Sequence, residues 1–173
     1  MYDSRSLREY VRANVRGSGF QIVGLLWRNT LEDQAAAETM LRELLSLQYR
    51  DPADRKSYGT WPRRVPEETV DPNWREFVGC TLILIREAFS DRLPKDLLQD
   101  LDEALLRAAE GAHERDVGPG YSNIAIMSAL LMEYVGAEMK RSDLCVAGKA
   151  KAKAVYERFK EHETFDEFNS PTY

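Results

Sequence analysis

The feature that most constrains the fold is an alternation of two kinds of helical segment in the second half of the chain. Residues 72–89 and 122–140 are apolar on almost every side, whereas residues 94–113 and 142–162 carry a single apolar stripe. A helix that is apolar all round must be covered on most sides, and a one-sided helix lies half exposed. The pattern therefore predicts a layer of buried helices backed by a layer of half-exposed helices.

Helix-start signals precede these segments. The capping residues and prolines that favour helix N-termini are Asp71 with Pro72, Pro94 and Ser142. Upstream, Thr30 is a candidate cap for a helix over residues 31–48. A short first helix is predicted over residues 4–16, with Gly17 as its stop. The apolar run over residues 20–27 is short and interrupted by glycine, so that its pattern fits either a strand or buried irregular chain.

The connections between segments also alternate in length. Those from a buried helix to an exposed helix are short, at residues 90–93 and 140–141, whereas those back to the next buried helix are long, at residues 49–70, 114–121 and 163–173. Antiparallel hairpins place all short turns at one end and all long loops at the other. We therefore expect an all-α fold of antiparallel helical hairpins that forms part of an α/α toroid or solenoid.

The expected organisation is an N-terminal segment over residues 1–30, followed by hairpins over residues 31–173. A closed toroid needs more hairpins than this length supplies, so the pattern predicts an incomplete toroid and favours a piece of a longer protein. The last hairpin would then leave an apolar flank, to be covered by further hairpins or by a second copy of the chain.

The three long loops end in similar residues. Each combines a proline, an asparagine and a tryptophan or tyrosine, and the asparagines Asn73, Asn123 and Asn169 recur at spacings of 50 and 46 residues. This spacing matches the length of one two-helix hairpin. Loops gathered at one end of a scaffold commonly carry binding and catalytic residues, so we expect the functional site at this end.

Composition excludes several classes of function. The net charge of −5 disfavours binding to nucleic acid, and no apolar stretch is long enough for a membrane span. The two cysteines and the two histidines, His113 and His162, lack the spacing of metal ligands, so no metal or cofactor is expected. No signal peptide is evident, and no disulfide pattern is present, which favours a cytoplasmic location.

The loop residues resemble a known family. Residues 73–79 (Asn-Trp-Arg-Glu-Phe-Val-Gly) resemble the Asn-Trp segment of α/α-toroid polysaccharide lyases of the chondroitin AC and alginate lyase kind. Residues 59–62, 118–127 and 165–173 are similar to segments of largely uncharacterised proteins with the same six-hairpin, glycosidase-like toroid. The resemblance covers about residues 55–173. It implies a carbohydrate ligand and β-elimination at a uronate.

The resemblance also assigns roles. Lyases of this kind neutralise the uronate carboxylate with an Asn, and use Tyr and often His for proton transfer. The catalytic candidates that it implies are Asn73, Tyr121, His113 and Tyr173. Those for substrate binding are Trp61, Trp74, Arg75, Asn123 and Asn169. An arginine such as Arg75 or Arg115 is expected to depress the pKa of the phenol. No histidine lies within a loop motif, which departs from the family's pattern.

Other interpretations remain open at this point. Hydrolysis would need a pair of carboxylates, for which Glu76, Asp116, Asp166 and Glu167 are the loop candidates. The chain can instead be a non-catalytic α-solenoid that docks a partner or a second copy. A third alternative is a toroid enzyme that acts on an apolar, terpenoid-like substrate, with Met127 and Met132 lining its cavity. Each loop residue can also serve only in capping or packing.

Overall fold

The chain folds into helices connected by loops. The computed structural model describes residues 2–169, and the side chains of residues 168 and 169 lie outside that description. Within this part of the chain there are seven α-helices and no strand. They are α1 (Ser4–Ala13), α2 (Val15–Arg28), α3 (Leu31–Ser46), α4 (Trp74–Phe89), α5 (Lys95–Arg115), α6 (Ser122–Glu138) and α7 (Ser142–His162). Short 3₁₀ helices follow α4 at Ser90–Arg92 and α7 at Asp166–Asn169. The all-α prediction is confirmed.

Three helical hairpins, α2–α3, α4–α5 and α6–α7, follow one another in the same sense. From α2 to α4, the guanidinium of Arg16 lies 3.9 Å from the Phe77 ring centroid, and Arg92, just past α4, donates to the carbonyl of Leu26 near the end of α2. The start of α2 thus contacts the start of α4, and the end of α2 contacts the residues that follow α4. The two helices therefore run parallel.

The next pair repeats this direction. Ser128 Oγ donates to Glu76 Oε1 at 3.0 Å near the start of α4, and Tyr134 Oη donates to Glu87 Oε1 at 2.6 Å near its end. Helices α2, α4 and α6 thus form one layer of parallel helices with α4 in the middle. Helices α3, α5 and α7 form the second layer. Such stacking is consistent with an α/α solenoid or an arc of a toroid, and closure into a ring stays a prediction.

The N-terminal segment differs from expectation. Residues 20–27 belong to a full helix, α2, and Gly17 lies in its first turn rather than ending α1. Asn14 separates the two helices, and its side chain accepts the backbone N–H of Gly17 at 3.2 Å, which caps α2. Val15, Ile22 and Leu26 are fully buried in the main core. Helix α2 is therefore packed as one arm of the first hairpin.

The helix starts follow the sequence signals within a few residues. Thr30 caps α3 by accepting the N–H of Asp33, and Pro94 immediately precedes α5. Asp71 does not cap α4 itself, since its carboxylate accepts the N–H of Asn73 in a turn one residue before the helix. Ser142 is the first residue of α7 and makes no capping hydrogen bond.

The three long connections lie at one end of the stack, where α2, α4 and α6 begin. This end is called the loop rim below. The longest connection, residues 47–73, is fixed by buried polar contacts: Gln48 Nε2 donates to the carbonyls of Gly59 (3.1 Å) and Ala104 (2.9 Å), and Arg107 donates to Gln48 Oε1 at 2.8 Å. No helix in the described part of the chain combines the length and apolarity that a bilayer crossing requires.

Candidate functional site

The loop rim brings together residues that are far apart in the sequence. Asn73, at the start of α4, donates from Nδ2 to Tyr121 Oη, just before α6, at 3.0 Å. From the third connection, Glu167 Oε2 accepts Ser122 Oγ at 2.9 Å and the backbone N–H of Asn123 at 3.0 Å. The ends of the first two long loops and Glu167 of the third therefore lie at the same end of the helices, as the alternation of connection lengths predicted.

Arg115, at the C-terminal end of α5, extends this contact inward. Its Nη2 donates to Asn73 Oδ1 at 2.8 Å, and its Nη1 lies 3.6 Å from Glu76 Oε2. The result is a continuous series of polar side chains from the surface to the interior. This rim cluster consists of Tyr121, Asn73, Arg115, Glu76 and Ser128. Its outer member is Tyr121, which is 40% exposed, and its inner members Glu76 and Ser128 are fully buried.

The inner end of the rim cluster is electrostatically constrained. Burial raises the pKa of Glu76, whereas the guanidinium groups of Arg75 and Arg115 oppose that rise. Glu76 Oε2 and Arg115 Nη1 are both buried and have no hydrogen-bond partner at normal distance. A buried carboxylate with an incomplete ion pair is costly unless its surroundings hold it in place. Arg115 is therefore held between Glu76 inside and Asn73 at the rim.

A cation-lined cleft opens beside the rim cluster. It has a volume of about 310 Å³, and its walls are formed by Arg55, Lys56, Pro72, Glu114 and Arg115. The carboxylate of Glu114 forms an ion pair with Arg55 at 3.0 Å. The other two cations of the cleft, Lys56 and Arg115, are not part of this ion pair. Positive charge in a cleft attracts anionic groups. Arg115 connects this cleft to the Asn73–Tyr121 pair.

Two of the predicted binding residues are buried and cannot meet a sugar. Trp61 is 0% exposed, and its indole N–H donates to the carbonyl of Leu44 at 2.9 Å. Arg75 is likewise 0% exposed, and donates to the carbonyl of Tyr58 from Nε at 3.0 Å and from Nη2 at 2.7 Å. Both predictions are corrected: Trp61 anchors the long connection on α3, and Arg75 anchors it on α4. Burial also lowers the pKa of Arg75.

The remaining predicted residues occupy different places. Trp74 is half-buried, with its ring edge-on to Phe77 at 5.7 Å between centroids. Asn123 is half-buried, and its contact is with Glu167 and not with Asn73. Positions that are two residues apart in an α-helix differ by a rotation of about 200° around its axis. The exposed His113 therefore points away from the side of α5 that carries Arg115. Asn169 ends the last 3₁₀ helix with its side chain outside the description, and Tyr173 lies outside the described residues.

The four carboxylates considered for hydrolysis are each engaged elsewhere. Glu76 is buried, and Glu167 binds the N-terminal end of α6. Asp116 accepts Lys151 Nζ at 2.8 Å, and Asp166 accepts Arg158 Nε at 2.6 Å. The carboxylates of Asp116 and Asp166 are therefore both bound to cations of α7. Within residues 2–169, no hydrogen bond or ion pair joins any two of these four carboxylates.

The alternative of an apolar cavity is not supported at the predicted methionines. Met132 is 0% exposed within the main core, and Met127 is half-buried against the small core formed by Val117, Ile124, Ala125 and Val155. Both cysteines are free, and burial raises the pKa of the Cys80 thiol to about 12. Within residues 2–169, no group of three or more His, Cys, Asp or Glu side chains is arranged to hold a metal ion.

Sequence reasoning missed the roles of Ser128 and Lys56. Ser128 interrupts the apolar run of α6, and a serine at a buried helix position signals a polar partner on the neighbouring helix. Lys56 directly follows Arg55 in the long connection, and this adjacent pair of basic residues is a weak sequence signal for the cationic cleft.

Comparison with known proteins gives a family without an assigned function. The family model described as Domain of unknown function (DUF8769) matches residues 1–173. No curated protein and no solved structure matches the chain. Since the family model spans the full sequence, the chain belongs to the DUF8769 family.

Proposed function

We propose that the loop rim binds an acidic saccharide and that the rim cluster promotes β-elimination at a uronate. The observation that carries this proposal is the contact of Asn73 with both Tyr121 and Arg115 at the surface of the rim. An amide, a guanidinium and a phenol at one place supply the two requirements of such a reaction. These are neutralisation of the carboxylate and transfer of a proton beside it.

The carboxylate of the sugar fits the cationic side of the site. Arg115 and Lys56 line the cleft of about 310 Å³ that adjoins Asn73. The positive charges of these two side chains attract a carboxylate, and the amide of Asn73 adds a hydrogen-bond donor. Neutralising the carboxylate makes the neighbouring C–H bond more acidic, because the negative charge that develops in the transition state is then stabilised.

Tyr121 is the proton-handling group in this proposal. Its oxygen accepts a hydrogen bond from Asn73, so that its own O–H is free to face a ligand. In its deprotonated form this oxygen would take the proton from the carbon next to the carboxylate, and the phenol so formed would pass that proton to the leaving glycosidic oxygen. The C–H electrons then form the double bond as the C–O bond breaks. The engagement of Glu76, Asp116, Asp166 and Glu167 supports elimination over hydrolysis.

The test is incubation of the purified chain with a panel of uronate-containing polysaccharides. Elimination creates a double bond conjugated to the carboxylate, which appears as a rise in ultraviolet absorbance. Tyr121→Phe keeps the ring and removes the oxygen that moves the proton, so we expect a loss of activity of about 100-fold or more. Tyr156→Phe, at an exposed tyrosine of α7, is the matched control and should retain activity.

Two outcomes would count against the proposal. One is a panel without any increase in absorbance, combined with no binding of uronate oligosaccharides in calorimetry. The other is an activity that Tyr121→Phe leaves unchanged. Saccharide binding without elimination would support the part of the proposal that concerns the ligand and contradict the part that concerns the reaction.

A second candidate function is self-association through an exposed apolar face. Phe20 and Trp27 on α2, Leu84 on α4 and Leu130 on α6 are all exposed, and Trp27 is 77% exposed. Positions seven apart lie on the same side of a helix, which places Phe20 with Trp27 and Phe77 with Leu84. Arg16 contacts Phe77 across the two helices, so these residues share one face of the parallel layer. Apolar faces of this kind are typical of interaction surfaces. Light scattering of the chain tests this function directly.

A further inference from the structure

A second cleft lies between α6, α7 and the segment that follows α7. Its volume is about 540 Å³, within the range of about 300–1,000 Å³ that small-molecule sites occupy. Its walls are mostly apolar, and are formed chiefly by Ile126, Val155, Tyr156, Phe159 and Phe165. Phe159 and Phe165 pack together with 5.0 Å between ring centroids, which connects α7 to the following segment. We call this the α6–α7 cleft. It is distinct from the rim cluster.

One part of the α6–α7 cleft is polar. Asn123 and Glu167 line it, and each has a buried side-chain oxygen without a hydrogen-bond partner: Asn123 Oδ1 and Glu167 Oε1. The other oxygen of Glu167 already accepts two hydrogen bonds, from Ser122 Oγ and from the backbone N–H of Asn123. The carboxylate is thus fixed in position, while its oxygen Oε1 accepts no hydrogen bond. Buried acceptors without donors are unusual and indicate a missing partner.

The nearby cations do not fill this role. Arg158 is bound to Asp166 at 2.6 Å, and Lys160 lies 3.7 Å from Glu157 with its ammonium 5.5 Å from the Tyr156 ring centroid. Among the residues that the structure describes, no basic group is within ion-pair distance of Glu167. The carboxylate of Glu167 is therefore held by hydrogen bonds at the start of α6, without an ion pair to any described cation.

We propose that the α6–α7 cleft binds a small primary amine with an apolar tail. An ammonium group carries three donors and no acceptor, so one head group can satisfy Glu167 Oε1 and Asn123 Oδ1 together. An alcohol has a single O–H donor and satisfies only one of the two oxygens. A carboxylate would place a second negative charge beside Glu167. The tail packs on the aromatic and aliphatic walls, which supply the hydrophobic part of the affinity.

The experiment is isothermal titration calorimetry of the full chain at neutral pH with n-hexylamine, n-hexanol and n-hexanoate. The three probes share a six-carbon tail and differ in the head group. We expect saturable binding of hexylamine, affinity for hexanol that is about 10-fold weaker or worse, and no binding of hexanoate, because a hydrogen bond to a charged group contributes more than a neutral one. Equal affinity for hexylamine and hexanoate would overturn the proposal, as would non-saturable binding of the amine.

Two variants locate the binding site. Glu167→Gln removes the charge but keeps an oxygen that can accept the N–H of Asn123, and should weaken hexylamine binding by about 10-fold or more. Ala152→Phe places a ring in the cleft from its α7 wall and should abolish binding while the polar end stays intact. Lys153→Ala, at the neighbouring exposed position, is the control and should bind as the wild type does. Circular dichroism melting checks that each variant is folded. Hexylamine binding that survives both Glu167→Gln and Ala152→Phe contradicts the assignment.

Discussion

At the scale of single residues, two arginines that lie close together in space have different roles. Arg75 is fully buried and binds the carbonyl of Tyr58, whereas Arg115 reaches from buried Glu76 to Asn73 at the rim. Gly111 makes room for this arrangement, because a Cβ there would lie 2.3 Å from the Tyr58 carbonyl oxygen and 2.7 Å from Arg75 Nε. Arg75 is thus structural, whereas Arg115 lines the cleft beside the rim cluster.

Replacement of Arg75 tests its structural role. Arg75→Met removes charged hydrogen bonds to the backbone of the long connection and leaves the Tyr58 carbonyl without its donor. We expect the free energy of unfolding to fall by about 2–4 kcal/mol, measured by urea denaturation. Arg64→Met, at an exposed position of the same connection, is the control and should change stability by less than about 0.5 kcal/mol. Similar small changes for both variants would show that Arg75 does not hold the connection.

Glu76 predicts a pH dependence of stability. Burial raises its pKa above the ordinary value of 4.5, so the folded chain holds this proton more tightly than the unfolded chain does. The resulting stabilisation is fully present below the unfolded value and is lost as the pH rises through the raised value. Glu76→Gln stays neutral and lacks this contribution.

The measurement is urea denaturation of wild type and Glu76→Gln at several values between about pH 4 and pH 7. The free energy of unfolding of the wild type, relative to that of the variant, should fall as the pH rises. The slope can reach at most about 1.4 kcal/mol per pH unit for one proton. A difference that is flat, or that rises with pH, would mean that Arg115 outweighs the effect of burial.

At the scale of helices, the α6–α7 hairpin depends on close backbone approach. A Cβ on Gly148 of α7 would lie 2.7 Å from the backbone nitrogen of Glu133, and one on Gly136 of α6 would lie 2.4 Å from that of Cys145. Both obstructing atoms belong to backbone and cannot rotate aside. The two glycines therefore set the distance between the helices that enclose the α6–α7 cleft.

A pair of glycine substitutions separates packing from helix propensity. Gly148→Ala should lower the free energy of unfolding by about 1–3 kcal/mol, because the added methyl group forces α6 and α7 apart. Gly24→Ala, in α2, meets nothing within 4 Å and should raise stability by about 0.5–1 kcal/mol, since alanine is the better helix former. Thermal and urea denaturation measure both. Stabilisation by Gly148→Ala would contradict the close approach.

At the scale of the whole molecule, parallel helices α2, α4 and α6 leave one face of their layer open. Helices α3, α5 and α7 cover the opposite face, so Phe20, Trp27 and Leu84 are exposed on a side that no outer helix covers. This arrangement is what an α/α toroid would use to line its centre and what a solenoid would use to bind a partner. The self-association candidate makes use of this open face.

The self-association prediction belongs to this scale. If the exposed face joins two copies, Trp27→Glu combined with Leu84→Glu should shift the chain to a monomer in light scattering, because charged residues in an apolar interface are costly to bury. The substitutions lie at exposed positions and should leave the fold intact by circular dichroism. The control is Val146→Glu, an exposed apolar position on outer helix α7. A wild-type chain that is monomeric at all concentrations excludes this function.

The sequence predicted the hairpins more fully than it predicted the site. Helical periodicity, capping residues and loop lengths are local properties, and they located α3 to α7 and the shared rim of the long loops. The same evidence did not predict α2, because the glycines in this segment weaken its helical pattern. In the structure, Gly19 allows the side chain of Thr81 in α4 to pack closely against α2. Propensity describes an isolated segment, and here packing overrides it.

By itself, the sequence determined that this chain forms stacked helical hairpins with Asn73 and Tyr121 at one end, since both residues are at the starts of helices that must run in the same direction. Only the tertiary structure decided which side chains face solvent there. Trp61 and Arg75 are buried because the long connection folds over α3 and α4, and Arg115 reaches the rim because α5 ends beside Asn73. Burial depends on which element lies across a residue, and no local pattern contains that information.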